Sequence, residues 1–325
     1  MKGLIQLQRS TAKATINSAF TQFVRVKRNM NLSEESIECY QDAIKYFTAF
    51  FSGENYCYDV TLDVIEDYTT HLRNKSISDV SVNTYLRGLR TVLYFFMERD
   101  YMPKFKVKLI RQEKRVKNTY TEAELKLLLA KPNVQKCSFA KYRNWVLTNY
   151  LLATGNRLGT ISELKISDID FQNHEIILKK VKSRRQYIIP LSACLEKILL
   201  EYLLYRKGEP DDYLFCTRHG EKMKKPALTG AIQAYNRERG VEKTSIHLYR
   251  HTFAKNWILN GGDIFRLKSI LGHSSIDIVK EYAEMFGSDL KRNFDRFNPL
   301  DNFGEQQNSG RQSIKMSKGR VNQKL

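Results

Sequence analysis

A basic segment that begins at Pro103 divides this 325-residue chain into two parts. Proline disfavours helix at the residue before it, so Pro103 ends the helical pattern of the first hundred residues. Residues 104–120 then carry seven basic residues against one acidic residue. Because domains usually contain about 100–200 residues, we predict two domains, at 14–102 and 120–300, with a basic interdomain linker over 103–119.

The composition narrows the class of protein. The formal net charge is +19, which favours a polyanionic partner, and nucleic acid is the commonest such partner. A ribosome-associated or merely soluble basic protein remains the alternative. The five cysteines are scattered without a C-x-x-C pair, which indicates a reducing compartment and no zinc site. No apolar run approaches about 18 residues and no signal-peptide core is present, so we expect a cytoplasmic protein without a membrane partner.

The apolar spacing predicts a mainly α-helical fold with a small β-hairpin. Apolar residues recur at helical spacing over 37–51, after a capping Ser33, and again over 82–96. These helices predict a helical N-terminal domain, for which DNA binding is a candidate role. A T-x-x-E capping box starting at Thr121 opens the second part.

The second part combines helices with strands. Two short strand-like runs, 175–178 and 187–190, flank a basic stretch and predict a hairpin, and residues 213–217 resemble another short extended piece. The helical pattern returns from residue 228, so we predict a mixed α/β domain. Residues 301–325 are polar, and we expect this tail to be disordered.

Basic side chains in the first part and the linker are candidates for DNA contact. Asn83, Arg87, Arg90 and Tyr94 share the polar face of one predicted helix, which can lie in a DNA groove or simply face solvent. The linker can neutralise phosphates as an extended strap, or serve only as a soluble connector. The candidate DNA-binding residues are Arg87, Arg90, Lys104, Lys106, Lys108, Arg111, Lys114, Arg115 and Lys117.

The common nucleotide-binding, zinc-protease and serine-hydrolase motifs are absent. The remaining candidates are Arg157 after an apolar helix, His247 and Arg250 in H-x-x-R, His273 after a glycine, and Tyr282 nine residues later. Two guanidiniums can clamp the charge that develops on an attacked phosphodiester, and a tyrosine can act as nucleophile. A histidine can take or steady the tyrosine proton, and a lysine can protonate the leaving 5′ oxygen. Such a site uses no cofactor, metal or ATP.

Each of these residues also has a purely structural interpretation. His247 and Arg250 can form a surface pair on a helix, and His273 can cap a helix end. Arg157 can be an interior ion-pair partner, and Tyr282 can be one of many core tyrosines. Only their order and spacing together favour catalysis.

The order and spacing resemble the tyrosine recombinases, the integrase family of site-specific DNA-joining enzymes. The resemblance extends from about residue 15 to 300 and is strongest over 246–282, where H-x-x-R, L-G-H and the later tyrosine match the family motif. It implies the catalytic residues Arg157, His247, Arg250, His273 and Tyr282. The family lysine lies on a hairpin eight residues before a Pro-Leu pair, which implies Lys182, with Lys180 as the competitor.

The resemblance also implies a mechanism and an assembly. A covalent 3′-phosphotyrosine and a Holliday junction are the expected intermediates. We expect a monomer or weak dimer off DNA and a homotetramer on two duplexes, in which each protomer forms a C-shaped clamp around the DNA. Residues 290–300 are expected to dock on a neighbouring protomer. A directionality factor is a further candidate partner. The family often carries an acidic residue three positions after the first arginine, and its carboxylate supports the active site. Here Thr160 occupies that position and Glu163 follows three residues later, so the carboxylate support is in doubt.

The biological role stays open at the level of the sequence. A short N-terminal extension indicates the simple two-domain type, and the basic tail and divergent linker favour integration and excision of a mobile element over Xer-like chromosome-dimer resolution. A type IB topoisomerase-like enzyme and a non-catalytic DNA-binding accessory protein are alternatives. A metal-dependent transposase, which needs clustered carboxylates, is a further alternative that activity in EDTA would exclude.

Overall fold

The computed structural model describes residues 14–52, 56–111, 118–179 and 187–273, together with 275, 276, 280, 282 and 284. The chain divides into two compact units, Met1–Arg115 and Val116–Leu325. The division falls inside the range predicted as linker. The predicted tail at 301–325 and the candidates Lys114, Arg115, Lys117, Lys180 and Lys182 lie outside the described residues.

Four α-helices form the described core of the first unit. They are α1 (Ile16–Asn29), α2 (Glu34–Phe50), α3 (Leu62–Asn74) and α4 (Asp79–Glu98). Hydroxyl groups of Thr15, Thr61 and Ser78 accept backbone N–H groups at the starts of α1, α3 and α4. Ser33 begins α2 as predicted, but its hydroxyl lies 2.9 Å from that of Ser36 instead of capping the helix.

Close approach of α2 and α4 depends on one glycine. A Cβ atom at Gly88 would lie 2.8 Å from the Cβ of Ala43, a separation that side chains do not tolerate. Aromatic rings fill the space around these helices, with Phe23, Phe47 and Phe96 fully buried. The apolar stripes predicted on both helices therefore face the core.

The segment after α4 packs on the first unit. Val107 is buried, and Phe105 and Leu109 pack against the same core. The intervening lysines, 104, 106 and 108, are exposed, as is Arg111. The alternation of basic and apolar residues therefore separates a core-facing side from a basic solvent side.

Asn83 anchors this segment. Its Nδ2 donates to the carbonyl of Ile110 at 2.8 Å, and its Oδ1 accepts from the Ile110 N–H at 3.0 Å. The side chain is only 2% exposed, so the prediction that Asn83 shares a solvent face with Arg87 is wrong. Helical periodicity could not anticipate this, because the partner of Asn83 is the backbone of a segment 27 residues away.

The second unit contains seven described helices and a three-stranded sheet. The helices are α5 (Glu122–Leu129), α6 (Phe139–Thr154), α7 (Leu158–Ile161), α8 (Ala193–Arg206), α9 (Lys225–Glu238), α10 (Ile246–Leu259) and α11 (Ile264–Leu271). The strands are β1 (Ile169–Asp170), β2 (Glu175–Leu178) and β3 (Tyr187–Pro190), all antiparallel, in the order β1-β2-β3.

Local signals account for most of this unit. Both predicted strands are present, with Ile176 opposite Ile189, and the capping box at Thr121 and Glu124 forms. The two-residue strand β1 is too short to show a period. Residues 213–217 contribute only isolated bridges. Within the described part of the chain, no helix is long and apolar enough to cross a membrane.

Helix α6 occupies the centre of the second unit. Its residues Trp145, Leu147 and Tyr150 are buried, and α8, α9 and α10 pack around it. A helix that is buried on several sides needs no single apolar stripe. The rigid position of α6 fixes the point at which the chain turns into the candidate site.

We predict that Asn83→Ala lowers the free energy of unfolding of the first unit by about 2–3 kcal/mol, because it removes the partners of the Ile110 N–H and carbonyl. Urea denaturation followed by circular dichroism measures this change, and hydrogen exchange at the Ile110 amide should accelerate. Thr84→Ala, an exposed neighbour on α4, is the matched control and should change stability by less than about 0.5 kcal/mol. Equal unfolding midpoints for the two variants would contradict the anchoring role.

Candidate active site

A left-handed turn at the end of α6 positions Arg157. Gly155 ends the helix with φ 60°. A Cβ atom there would lie 2.8 Å from side-chain atoms of both Leu271 and Phe253, so conformation and packing both require glycine. Arg157 precedes α7, and its Nη1 donates to the carbonyls of Leu271 and Gly272, both at 3.2 Å.

Arg250 joins the same two helix ends from α10. Its Nη1 donates to the carbonyl of Gly155 at 2.8 Å, and its Nη2 donates to the carbonyl of Leu271 at 2.8 Å. Nη2 also lies within hydrogen-bonding distance of Nε2 of His273. The side chain is 6% exposed. Burial, and then the positive charge of Arg157, lower the pKa of Arg250 to about 10, which leaves it cationic at neutral pH.

The two arginines therefore meet at the C-terminal ends of α6 and α11. Leu271 offers one carbonyl to both guanidiniums. The carbonyl ends of helices carry partial negative charge and favour cations. Two guanidiniums held side by side form a site for a tetrahedral anion, with donors suited to paired oxygen atoms.

Gly272 and His273 complete this turn. Gly272 ends α11 with φ 59°, and His273 is buried directly after it. The structure therefore brings together three of the predicted residues, Arg157, Arg250 and His273. His247 lies on α10, one turn before Arg250, and is exposed.

Tyr282 lies against the same pair of helices. Its ring is 2% exposed and packs with Ala254, Leu267 and Leu271. Its hydroxyl lies 2.6 Å from Nδ1 of His251. Tyr282 thus packs with the side chain of Leu271, whose carbonyl accepts from both arginines. This places the tyrosine beside the arginine pair within the second unit.

Two residues near the site were missed from the sequence. His251 directly follows Arg250, and its spacing of four from His247 was a usable signal. Tyr187 begins β3, and its hydroxyl lies 3.0 Å from where a Cβ of Gly272 would be. Burial raises the pKa of Tyr187, whereas the charges of Arg250 and Arg157 lower it. No sequence pattern pointed to Tyr187, because its neighbours come from distant parts of the chain.

The carboxylates of the region serve other purposes. Glu163 pairs with Lys222 at 2.5 Å, and Thr160 is buried in α7. Asp168 pairs with Lys179 at 2.6 Å, whereas Asp170 accepts from the turn residue Asn173. Across the residues that the structure describes, no group of three or more His, Cys, Asp or Glu side chains could hold a metal ion.

The first unit carries a separate groove between α2 and α4, whose lining is mainly apolar and includes the acidic Asp42. Arg87 is exposed on its rim and Arg90 is half-buried on the same helix. Hydroxyl side chains and Arg87 supply much of its polar lining: Ser36, Ser81, Thr84, Arg87 and Thr91. Short hydroxyls and an arginine are suitable donors for a phosphate backbone.

Comparison with known proteins gives both units relatives. Residues 118–287 match the model of the phage integrase family, and residues 19–101 match a phage integrase N-terminal SAM-like domain. Tyrosine recombinase XerD of Staphylococcus epidermidis is 23% identical over 296 residues, covering 88% of this chain and 99% of that protein. Tyrosine recombinase XerC of Bacillus pumilus is 24% identical, covering 89% and 98%.

Solved structures share the fold. The Tn1549 transposon integrase in complex with a circular intermediate DNA aligns with a TM-score of 0.66 at 20% identity, covering 82% of this chain and 94% of that one. A lambda integrase tetramer bound to a Holliday junction aligns with a TM-score of 0.68 at 15% identity, covering 86% and 80%. The predicted mainly helical fold with a small sheet is confirmed.

We predict that Arg250→Lys destabilises the second unit by about 1.5–3 kcal/mol, because one ammonium group cannot bridge the carbonyls of Gly155 and Leu271. Both tryptophans, Trp145 and Trp257, lie in this unit, so thermal unfolding followed by tryptophan fluorescence reports the change. The exposed Arg237→Lys on α9 is the matched control. A melting temperature for Arg250→Lys equal to that of the control would show that the two carbonyl contacts contribute nothing.

Proposed function

Since the chain is a tyrosine recombinase of the phage integrase family, we propose that Tyr282 cuts and rejoins DNA at specific sites beside the Arg157–Arg250 pair. The observation that carries this proposal is the meeting of both guanidiniums at Leu271, whose side chain packs against Tyr282. The nucleophile and the charge donors thus share one small region of the second unit.

The reaction follows from the chemistry of these groups. The Tyr282 oxygen attacks the scissile phosphorus, and the negative charge that develops on the non-bridging oxygens is stabilised by the two guanidiniums. The 5′ oxygen leaves with a proton, for which Lys182 is our proposed donor. The 3′ end stays attached to the tyrosine, so the bond energy is retained. A 5′-hydroxyl from another strand reverses the step, without metal or ATP.

His247 and His273 have different places in this proposal. His273 contacts Arg250 and orients the guanidinium. His247 is exposed on α10, where it can reach a bound phosphate. Thr160 occupies the position of the usual acid, and Glu163 does not replace that acid because it pairs with Lys222. We propose that the carbonyls of Gly155, Leu271 and Gly272 supply the orientation that a carboxylate would give.

Recognition and assembly complete the proposal. The Arg87 groove and the exposed Lys104, Lys106, Lys108 and Arg111 contact the DNA backbone.

By likeness to the lambda integrase tetramer on a Holliday junction, four copies act on two duplexes in the cytoplasm. The likeness to the Tn1549 transposon integrase supports integration and excision of a mobile element. A directionality factor would bias the outcome. The relatives named XerC and XerD keep chromosome-dimer resolution as the alternative.

We predict that Tyr282→Phe abolishes covalent attachment to DNA but retains DNA binding, because only the nucleophilic oxygen is lost. The substrate is DNA flanking the gene, nicked near the candidate crossover so that the 5′-hydroxyl fragment diffuses away. A denaturing gel in EDTA measures the covalent product, and Tyr205→Phe, which changes an exposed tyrosine of α8, is the matched control. A covalent band for Tyr282→Phe would assign the nucleophile to another residue. A retarded band on a native gel with no covalent product from the wild type would indicate an accessory DNA-binding protein.

We predict that replacing Arg87 and Arg90 together by alanine weakens DNA binding and lowers the slope of log affinity against log salt by about 2, since each phosphate contact contributes about 0.9. Gel-shift titrations at several salt concentrations measure the slope. Arg73→Ala, an exposed arginine on α3, is the control. An unchanged slope for the double variant would exclude the groove as a phosphate-binding surface.

A further inference from the structure

His251 is the titratable side chain that the geometry places on the Tyr282 hydroxyl. Nδ1 of His251 lies 2.6 Å from this hydroxyl, and the two rings are tilted with their centroids 5.6 Å apart. Nucleophiles and their bases are usually about 2.6–3.2 Å apart. The pair lies beside Arg250, the immediate neighbour of His251 on α10.

We propose that His251 is the base that takes the Tyr282 proton during DNA cleavage and returns it during rejoining. This inference rests on the proposed function, because it assumes that Tyr282 is the nucleophile. It adds a catalytic residue outside the five residues and the lysine predicted from the sequence.

The other two histidines of the site are less suitable for this role. His273 directs Nε2 toward Nη2 of Arg250, so the lone pair of this nitrogen faces a guanidinium donor. His247 is exposed on α10. His251, by contrast, directs Nδ1 at the Tyr282 hydroxyl.

The chemistry of the pair matches the task. A free phenol has a pKa of about 10 and is neutral at pH 7, whereas a free imidazole has a pKa of about 6.5 and can accept a proton there. In this proposal the Tyr282 hydroxyl donates to Nδ1, which requires the imidazole tautomer with its proton on Nε2. This hydrogen bond directs the phenol proton along the path of its transfer.

The step balances in atoms and charge. The Tyr282 O–H bond breaks and its proton passes to Nδ1 of His251, while the tyrosine oxygen forms a bond to phosphorus. The bond from phosphorus to the 5′ oxygen breaks, and that oxygen leaves as a hydroxyl after protonation by the proposed lysine. His251 remains as an imidazolium until rejoining. The incoming 5′-hydroxyl then gives its proton to the neutral lysine, and His251 returns its proton to the departing tyrosine oxygen.

Burial explains why the transfer accompanies attack. Tyr282 packs among Ala254, Leu267 and Leu271, where a separated phenolate and imidazolium would be poorly solvated. The charge is better placed on phosphate oxygens that face two guanidiniums. We therefore expect proton transfer and bond formation to be coupled.

The test compares His251→Ala, His251→Asn and the control His219→Ala, a histidine in an exposed turn of the same unit. Single-turnover formation of the covalent product on the nicked flanking DNA is measured at saturating full-length protein, with Tyr282→Phe run in parallel. We expect about a 100-fold slower rate for both His251 variants and a wild-type rate for His219→Ala. DNA binding should be unchanged in all of them.

The asparagine variant separates proton transfer from positioning. Its amide can hold the tyrosine hydroxyl near the original place but cannot take a proton, so it controls for any loss of packing in His251→Ala. A rate for His251→Asn within about threefold of the wild-type rate would overturn the assignment of His251 as the base. A rate for His251→Ala above the wild-type rate would also overturn it. Covalent product from Tyr282→Phe, or none from the wild type, would instead overturn the proposed function itself.

Discussion

The hydrogen bonds of Arg250 to the carbonyls of Gly155 and Leu271 are the interaction on which the catalytic unit depends. They join the ends of α6 and α11 through a residue of α10, and they bring Arg157 to the same carbonyl. A buried guanidinium is costly unless its donors are satisfied, and here helix-end carbonyls satisfy them. The same bonds that stabilise the fold therefore leave two cations adjacent and ready for an anion.

The arrangement links stability with catalysis. Holding Arg157 and Arg250 together involves repulsion, and burial with this repulsion lowers the pKa of Arg250 to about 10. In the proposed reaction, a bound phosphodiester relieves the repulsion, and its transition state relieves it further because it carries more negative charge. Preorganised charge of this kind needs little rearrangement when the substrate arrives. The free energy of folding offsets the repulsion between the two arginines, so substrate binding does not have to.

Much of the fold and part of the site could be predicted from the sequence. Periodicity gave the helices, and short apolar runs gave β2 and β3, because both signals are local. The motif order identified Arg157, Arg250, His273 and Tyr282, which the fold brings together. Long-range contacts could not be predicted in the same way. Asn83 looked solvent-facing until the returning segment covered it, and His251 and Tyr187 gained their roles only from distant neighbours.

The arginine contacts also have a consequence for the order of folding. Arg250 and Gly155 are 95 residues apart in sequence, and Arg157 and Leu271 are 114 apart. Contacts of such high sequence separation close late, because the chain entropy of a long loop must be lost first. A nascent chain that does not yet contain α10 and α11 therefore lacks the paired cations. The proposed site for breaking DNA therefore forms only when the second unit is complete.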